Sequence, residues 1–138
     1  MCKLSSSYDF PRLSGSETVK RTAEGHWVPN TDAWATDDGL VIKVELAGLR
    51  REDLELTVEG NALRISGHRA DGCRTGNCNF LIMEINYGAF ASVIEMPEGY
   101  DLSQARASYE NGFLRIDVPR SVERKVKATI SEPSGKGA

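Results

Sequence analysis

The stretch that most restricts the fold of this chain is Ala107-Ser-Tyr-Glu-Asn-Gly-Phe-Leu114. It ends one alternating segment, turns at Asn111-Gly112 and starts another that runs to Val118. Asn-Gly readily supplies the positive φ angles of a two-residue hairpin turn, so the pair predicts two antiparallel strands joined tightly. Pro119 has no N–H to give to a ladder and closes the second strand. On these residues alone the reading is a hairpin in a β domain.

The same period of two recurs along the chain. Leu40, Ile42, Val44 and Leu46 alternate with Lys43 and Glu45; Leu54, Leu56 and Val58 alternate with Glu55, Thr57 and Glu59. Gly60-Asn61 then marks a turn, and Leu63 and Ile65 alternate with Arg64 and Ser66. Phe90, Ile94 and Met96 share one face of a further strand ended by Pro97-Glu98-Gly99. Leu102–Glu110 reads as another, with Ala105, Ala107 and Tyr109 on one side. Each segment thus has one dry and one wet face, and a slip of one residue would exchange them, so register is well specified. Many short strands with regular turn signals and no sustained helical period predict an all-β, immunoglobulin-like sandwich of two antiparallel sheets. At 138 residues one domain with flexible N- and C-terminal tails accounts for the whole chain. The expected division is an arm over 1–26, a domain over 27–119 and an extension over 120–138.

The arm is rich in Ser, Thr and charge, with apolar residues placed singly, among them Leu4, Tyr8, Phe10 and Leu13. His68–Asn79 is polar and Gly-rich, and it leads into a short apolar run, Phe80-Leu81-Ile82-Met83. A long excursion of this kind inside a compact domain usually carries a function, and the run reads as a strand that pairs elsewhere, with another chain as one option.

Several chemistries find no support. Cys73 and Cys78 have only Cys2, His26 and His68 to complete a tetrahedral zinc site, all remote in sequence, so no metal is expected. The two loop cysteines are read as free thiols in a reducing compartment. Neither histidine lies in a nucleophile motif, the carboxylates fall in turns or on wet strand faces, and no Gly-rich loop opens a helix. No catalytic residue and no cofactor is expected. The net charge of −3 speaks against a nucleic-acid partner. No apolar run is long enough to span a membrane, and no apolar signal core is seen near Met1. A cytoplasmic protein is expected.

Four motifs in order carry a resemblance. They are Trp27-x-Pro29-x-x-Asp32 followed by Leu46-Ala47-Gly48; Asn61-x-Leu63-x-Ile65-x-Gly67-x-Arg69; Glu84-x-x-Tyr87-Gly88-x-Phe90 with Met96-Pro97; and Ala107-x-x-x-Asn111-Gly112-x-Leu114 with Val118-Pro119. Together they cover Trp27 to Pro119, and the chain resembles small heat shock proteins of the bacterial type, which are built on the α-crystallin domain. The resemblance implies an ATP-independent chaperone, a holdase that binds unfolding client proteins. It implies a homodimer formed by strand exchange through Phe80, Leu81, Ile82 and Met83, with higher homo-oligomers built on it. It also implies a groove lined by Leu54, Leu56, Val58, Ala105 and Ala107 that accepts a neighbour's tail, and client contacts at Leu4, Tyr8, Phe10 and Leu13. The family's tail motif, Ile-x-Ile or Ile-x-Val, is represented by Ala128-Thr129-Ile130. Ala in place of Ile gives up methyl groups worth about 0.8 kcal/mol each when buried. The chain also departs from the family pattern at Ile85 and Ser92, where arginine is common. Three other kinds of protein share such a sandwich or scaffold. A co-chaperone of the CS-domain type would lack the loop run and the Asn-Gly signature. A carbohydrate-binding or adhesion sandwich would carry a signal segment, and an enzyme would show a paired nucleophile and base.

Overall fold

A computed structural model describes residues 18–25, 27–71, 76–122 and 128–131. Eight strands are present among them: β1 (Lys20–Ala23), β2 (Thr31–Ala35), β3 (Gly39–Glu45), β4 (Leu54–Glu59), β5 (Ala62–Arg69), β6 (Gly88–Glu95), β7 (Arg106–Glu110) and β8 (Phe113–Pro119). They form two four-stranded sheets with orders β1-β6-β5-β4 and β2-β3-β8-β7. Every pairing is antiparallel. The expected two-sheet sandwich is what the chain forms.

The alternation decides which side chains meet between the sheets. Leu40, Ile42, Val44 and Leu46 are buried, and β8 answers with Leu114, Ile116 and Val118. Leu63 and Ile65 of β5 and Phe90 and Ile94 of β6 close the core from the other sheet. Each such side chain, on leaving water, contributes about 1.5–3 kcal/mol. The Asn111-Gly112 turn has φ of +53° and +81°, the mirror-type turn whose twist matches the strands it joins. In β3 and β8, Val44 faces Leu114 and Ile42 faces Ile116.

β2 was not read as a strand from the sequence, and three further elements differ from that reading. β1 lies inside the stretch assigned to the arm, paired with β6 through Lys20↔Glu95 to Ala23↔Ser92. All four of its side chains are exposed, so it leaves no hydrophobic alternation to read. The segment expected as one strand from Leu102 starts instead as a 3-10 turn over Leu102–Gln104. There Asp101 accepts from the Ser103 N–H at 3.0 Å, the local bond that lets aspartate open a helical turn. Leu102 is buried by that turn. Finally, β5 runs on through Gly67 and His68 to Arg69, where the sequence suggests a loop.

One core position is poorly matched. Ser92 follows Phe90 and precedes Ile94 on the inward face of β6, is 1% exposed, and its Oγ has no hydrogen-bond partner among the described residues. A buried hydroxyl without a partner costs about 1–3 kcal/mol. Ser92→Ala keeps the volume and removes that group, so it is expected to stabilise the fold by about 1 kcal/mol. Urea unfolding checks this: a midpoint unchanged or lowered means the hydroxyl is satisfied in solution.

Candidate functional site

Among the described residues, the surfaces open to other chains are the sheet edges and the loop between β5 and β6. On one side of the sandwich the edge strands β4 and β7 lie across the gap between the sheets. The groove between them is lined by Arg51, Leu54, Leu56, Ala107, Ser108, Tyr109 and Leu114. Leu54 and Leu56 are half-buried and pack on the core, as does Tyr109. The Tyr109 hydroxyl donates to the Leu46 carbonyl at 2.6 Å, which ties β7 to the turn after β3 and sets one groove wall. Of the residues expected here, Leu54, Leu56 and Ala107 meet. Ala105 packs against the core beside the 3-10 turn, and Val58 is exposed at the far end of β4 beside the Gly60 turn. Tyr109 and Leu114 were the groove residues missed, although both fall on the inward alternation of the hairpin. Ala128 and Ile130 are exposed, Ile130 at 91%, so they do not fill this groove in the single chain.

The loop run leaves four consecutive apolar side chains in water. Leu81 is 96% and Ile82 77% exposed, and Phe80, Met83 and Ile85 are exposed as well. Residues 80–83 form no strand. β2 pairs only with β3 among the described strands, so its outer edge carries unpaired backbone groups, the usual template for an added strand.

The base of this loop is closed by one side chain. Arg69, the last residue of β5, donates from Nε to the Asn86 carbonyl at 2.8 Å and from Nη1 to the Ala47 carbonyl at 3.2 Å. Its guanidinium stacks 4.3 Å from the Trp27 ring centre and 5.9 Å from that of Tyr87. Trp27 in turn donates from Nε1 to the Gly88 carbonyl at 3.1 Å and packs on Phe90 with ring centres 5.0 Å apart. Sequence reasoning placed Trp27, Arg69 and Tyr87 in separate motifs and did not connect them.

Leu4, Tyr8, Phe10 and Leu13 lie outside the described residues, as do Cys2, His26 and Cys73. Cys78 is an exposed thiol. Among the described residues no three acidic, His or Cys side chains are grouped to hold a metal, and no helix is long and apolar enough to cross a membrane. Among the described residues, the one displaced titration belongs to the exposed Arg115, raised above its ordinary value by its hydrogen bonds to Asp117. It keeps a surface charge in place and marks no reactive centre.

The surfaces above can be set beside known proteins. Residues 32–131 match the family described as Hsp20/alpha crystallin. The chain belongs to that family. Among curated relatives, small heat shock protein C2 of Rickettsia felis is 29% identical over 120 residues, which are 87% of this chain and 73% of that protein. The 17.6 kDa class I heat shock protein 3 of Arabidopsis thaliana is 35% identical over 101 residues, 72% of this chain and 64% of that protein. The chain therefore spans under two thirds of some of its Hsp20 relatives. Among solved structures, heat shock protein 16.0 from Schizosaccharomyces pombe superposes with a TM-score of 0.64 at 26% identity, covering 88% of this chain and 90% of that one. Hsp20 proteins are generally chaperones rather than enzymes.

Proposed function

We propose that this Hsp20 protein is an ATP-independent holdase that covers the apolar surface of unfolding proteins and keeps them from aggregating. The observation that carries the reading is the exposed apolar run Phe80–Met83 on a sandwich whose core is otherwise closed. Patches of this kind mark surfaces meant for other chains. On this reading the run adds as a strand to the free edge of β2 in a second copy, giving a homodimer by strand exchange. The groove between β4 and β7, walled by Leu54, Leu56 and Ala107, takes the Ala128–Ile130 segment of a neighbouring dimer and builds higher oligomers. The arm, through Leu4, Tyr8, Phe10 and Leu13, holds clients without fixed geometry. Residues 27–119 act as the domain, 120–138 as the extension, and the site of action is the cytoplasm.

The test is light scattering of a heat-labile client warmed with and without the protein, with no ATP present. Scattering is expected to be suppressed near equal molar ratios of chain to client. Unchanged scattering at an excess of the protein overturns the reading.

A further inference from the structure

We propose that Arg69 is a positioning residue for self-association: it pins the exit of the β5–β6 loop to the sandwich and so presents Phe80–Met83 for pairing with a second copy. This rests on the dimer reading above and adds to it the device that aims the loop.

The geometry has a direction. Arg69 and Gly88 are the facing residues at the open end of the β5–β6 ladder, where the loop departs and returns. Both carbonyls that accept from Arg69 lie outside any strand, Asn86 on the returning chain and Ala47 in the turn after β3. The guanidinium plane lies against Trp27 and within reach of Tyr87. The side chain therefore joins the loop's exit to the wall of the other sheet. Without it, the returning chain loses the bond at Asn86 and the stack beside Tyr87. With it, Met83 is four residues from a fixed point at Tyr87, within about 14 Å of it even fully extended. A segment held this way has fewer arrangements to give up on pairing, and preorganisation raises affinity by lowering that ordering cost.

The charge alone does not serve. Two donors in a planar fork, set against two carbonyls on different segments while the plane stacks on a ring, suit guanidinium and not ammonium. Lysine is therefore a sharp control: it keeps the cation and the apolar stem and loses the fork.

The test is sedimentation equilibrium of the full chain, comparing wild type, Arg69→Ala and Arg69→Lys, with thermal unfolding of each recorded in parallel. The dimer dissociation constant is expected to rise about tenfold or more in both variants, with little rescue by lysine. The measurements are repeated in a chain whose residues 80–83 are replaced by serine and glycine. In that background Arg69→Ala is expected to leave self-association unchanged while its effect on the unfolding midpoint persists. If Arg69→Ala does not fold, Arg69→Lys carries the same comparison. A dimeric wild type whose Arg69 variants dimerise equally well overturns the proposal alone. So does an equal loss of association in the altered-loop background, which would make Arg69 merely structural. A wild type that remains monomeric at every concentration overturns the dimer reading and this proposal with it.

Discussion

Phe90→Ala is expected to lower the stability of the domain by about 3–5 kcal/mol, the range for removing a large aromatic from a close-packed core. Phe90 is fully buried on β6 between the two sheets. Its ring packs on Trp27 with an interplanar angle of 56°, an inclined arrangement that adds about 0.5–1.5 kcal/mol to the burial itself. The same ring lies over Gly67, whose missing side chain makes room for it. Two neighbours on two segments, Trp27 and Gly67, thus lose a surface at once, and a hole of that shape does not close by small shifts of aliphatic side chains. Since domains of this size are stable by about 5–15 kcal/mol, the variant should unfold at much lower urea with an unchanged slope. A loss below about 1 kcal/mol would mean that Trp27 swings into the space.

Gly67→Ala tests the other half of the contact. A strand interior ordinarily favours alanine over glycine by about 0.5–1 kcal/mol. Here a Cβ would stand 2.4 Å from the Asp53 carbonyl oxygen and 2.7 Å from Cζ of Phe90. The carbonyl is backbone at the junction of the 3-10 turn over Arg51–Asp53 and β4, so it cannot swing aside as the end of a side chain could. Overpacking of this kind costs about 1–3 kcal/mol, and with backbone as the obstacle the upper part of that range, about 2–3 kcal/mol, is expected. The combination Gly67→Ala with Phe90→Ala should cost less than the sum, because truncating the ring removes one of the two clashes. Thermal or urea unfolding of the three chains closes the cycle. Strict additivity would show that the Phe90 ring takes no part in the clash, and a Gly67→Ala chain as stable as wild type would show that the strands separate there at no cost.

What was legible in the sequence was whatever the hydrophobic alternation encodes. Leu40 to Leu46 and Leu114 to Val118 read directly as two half-buried strands because each has one face in the core. Asn111-Gly112 read as a hairpin because few other pairs tolerate positive φ at both positions. β1 was not legible, since a short edge strand with exposed side chains is held by its ladder and carries no apolar signal. The 3-10 turn was hidden because Leu102 and Ala105 suit a strand equally well; Asp101-x-Ser103 was the available clue. The groove was read in part. The resemblance implied it and alternation supplied the inward positions Leu54, Leu56 and Ala107, whereas Val58 has the right parity at the wrong end of its strand. The Arg69 clasp was out of reach because it depends on Trp27, Ala47 and Asn86 meeting across loops, and period and propensity say nothing about such meetings.

β1 has a consequence for the arm that precedes it. Its hold on β6 is a ladder of four residue pairs, helped by one bond from Arg21 Nη1 to the Pro29 carbonyl at 3.3 Å. No side chain of β1 is buried. The point where the arm is anchored is therefore not a fixed hinge but a seam. Each residue released from it lengthens the tether by about 3.3 Å, so giving up all four adds about 13 Å of reach, and the one core contact given up with them is that of the partly buried Val19 just ahead of the strand.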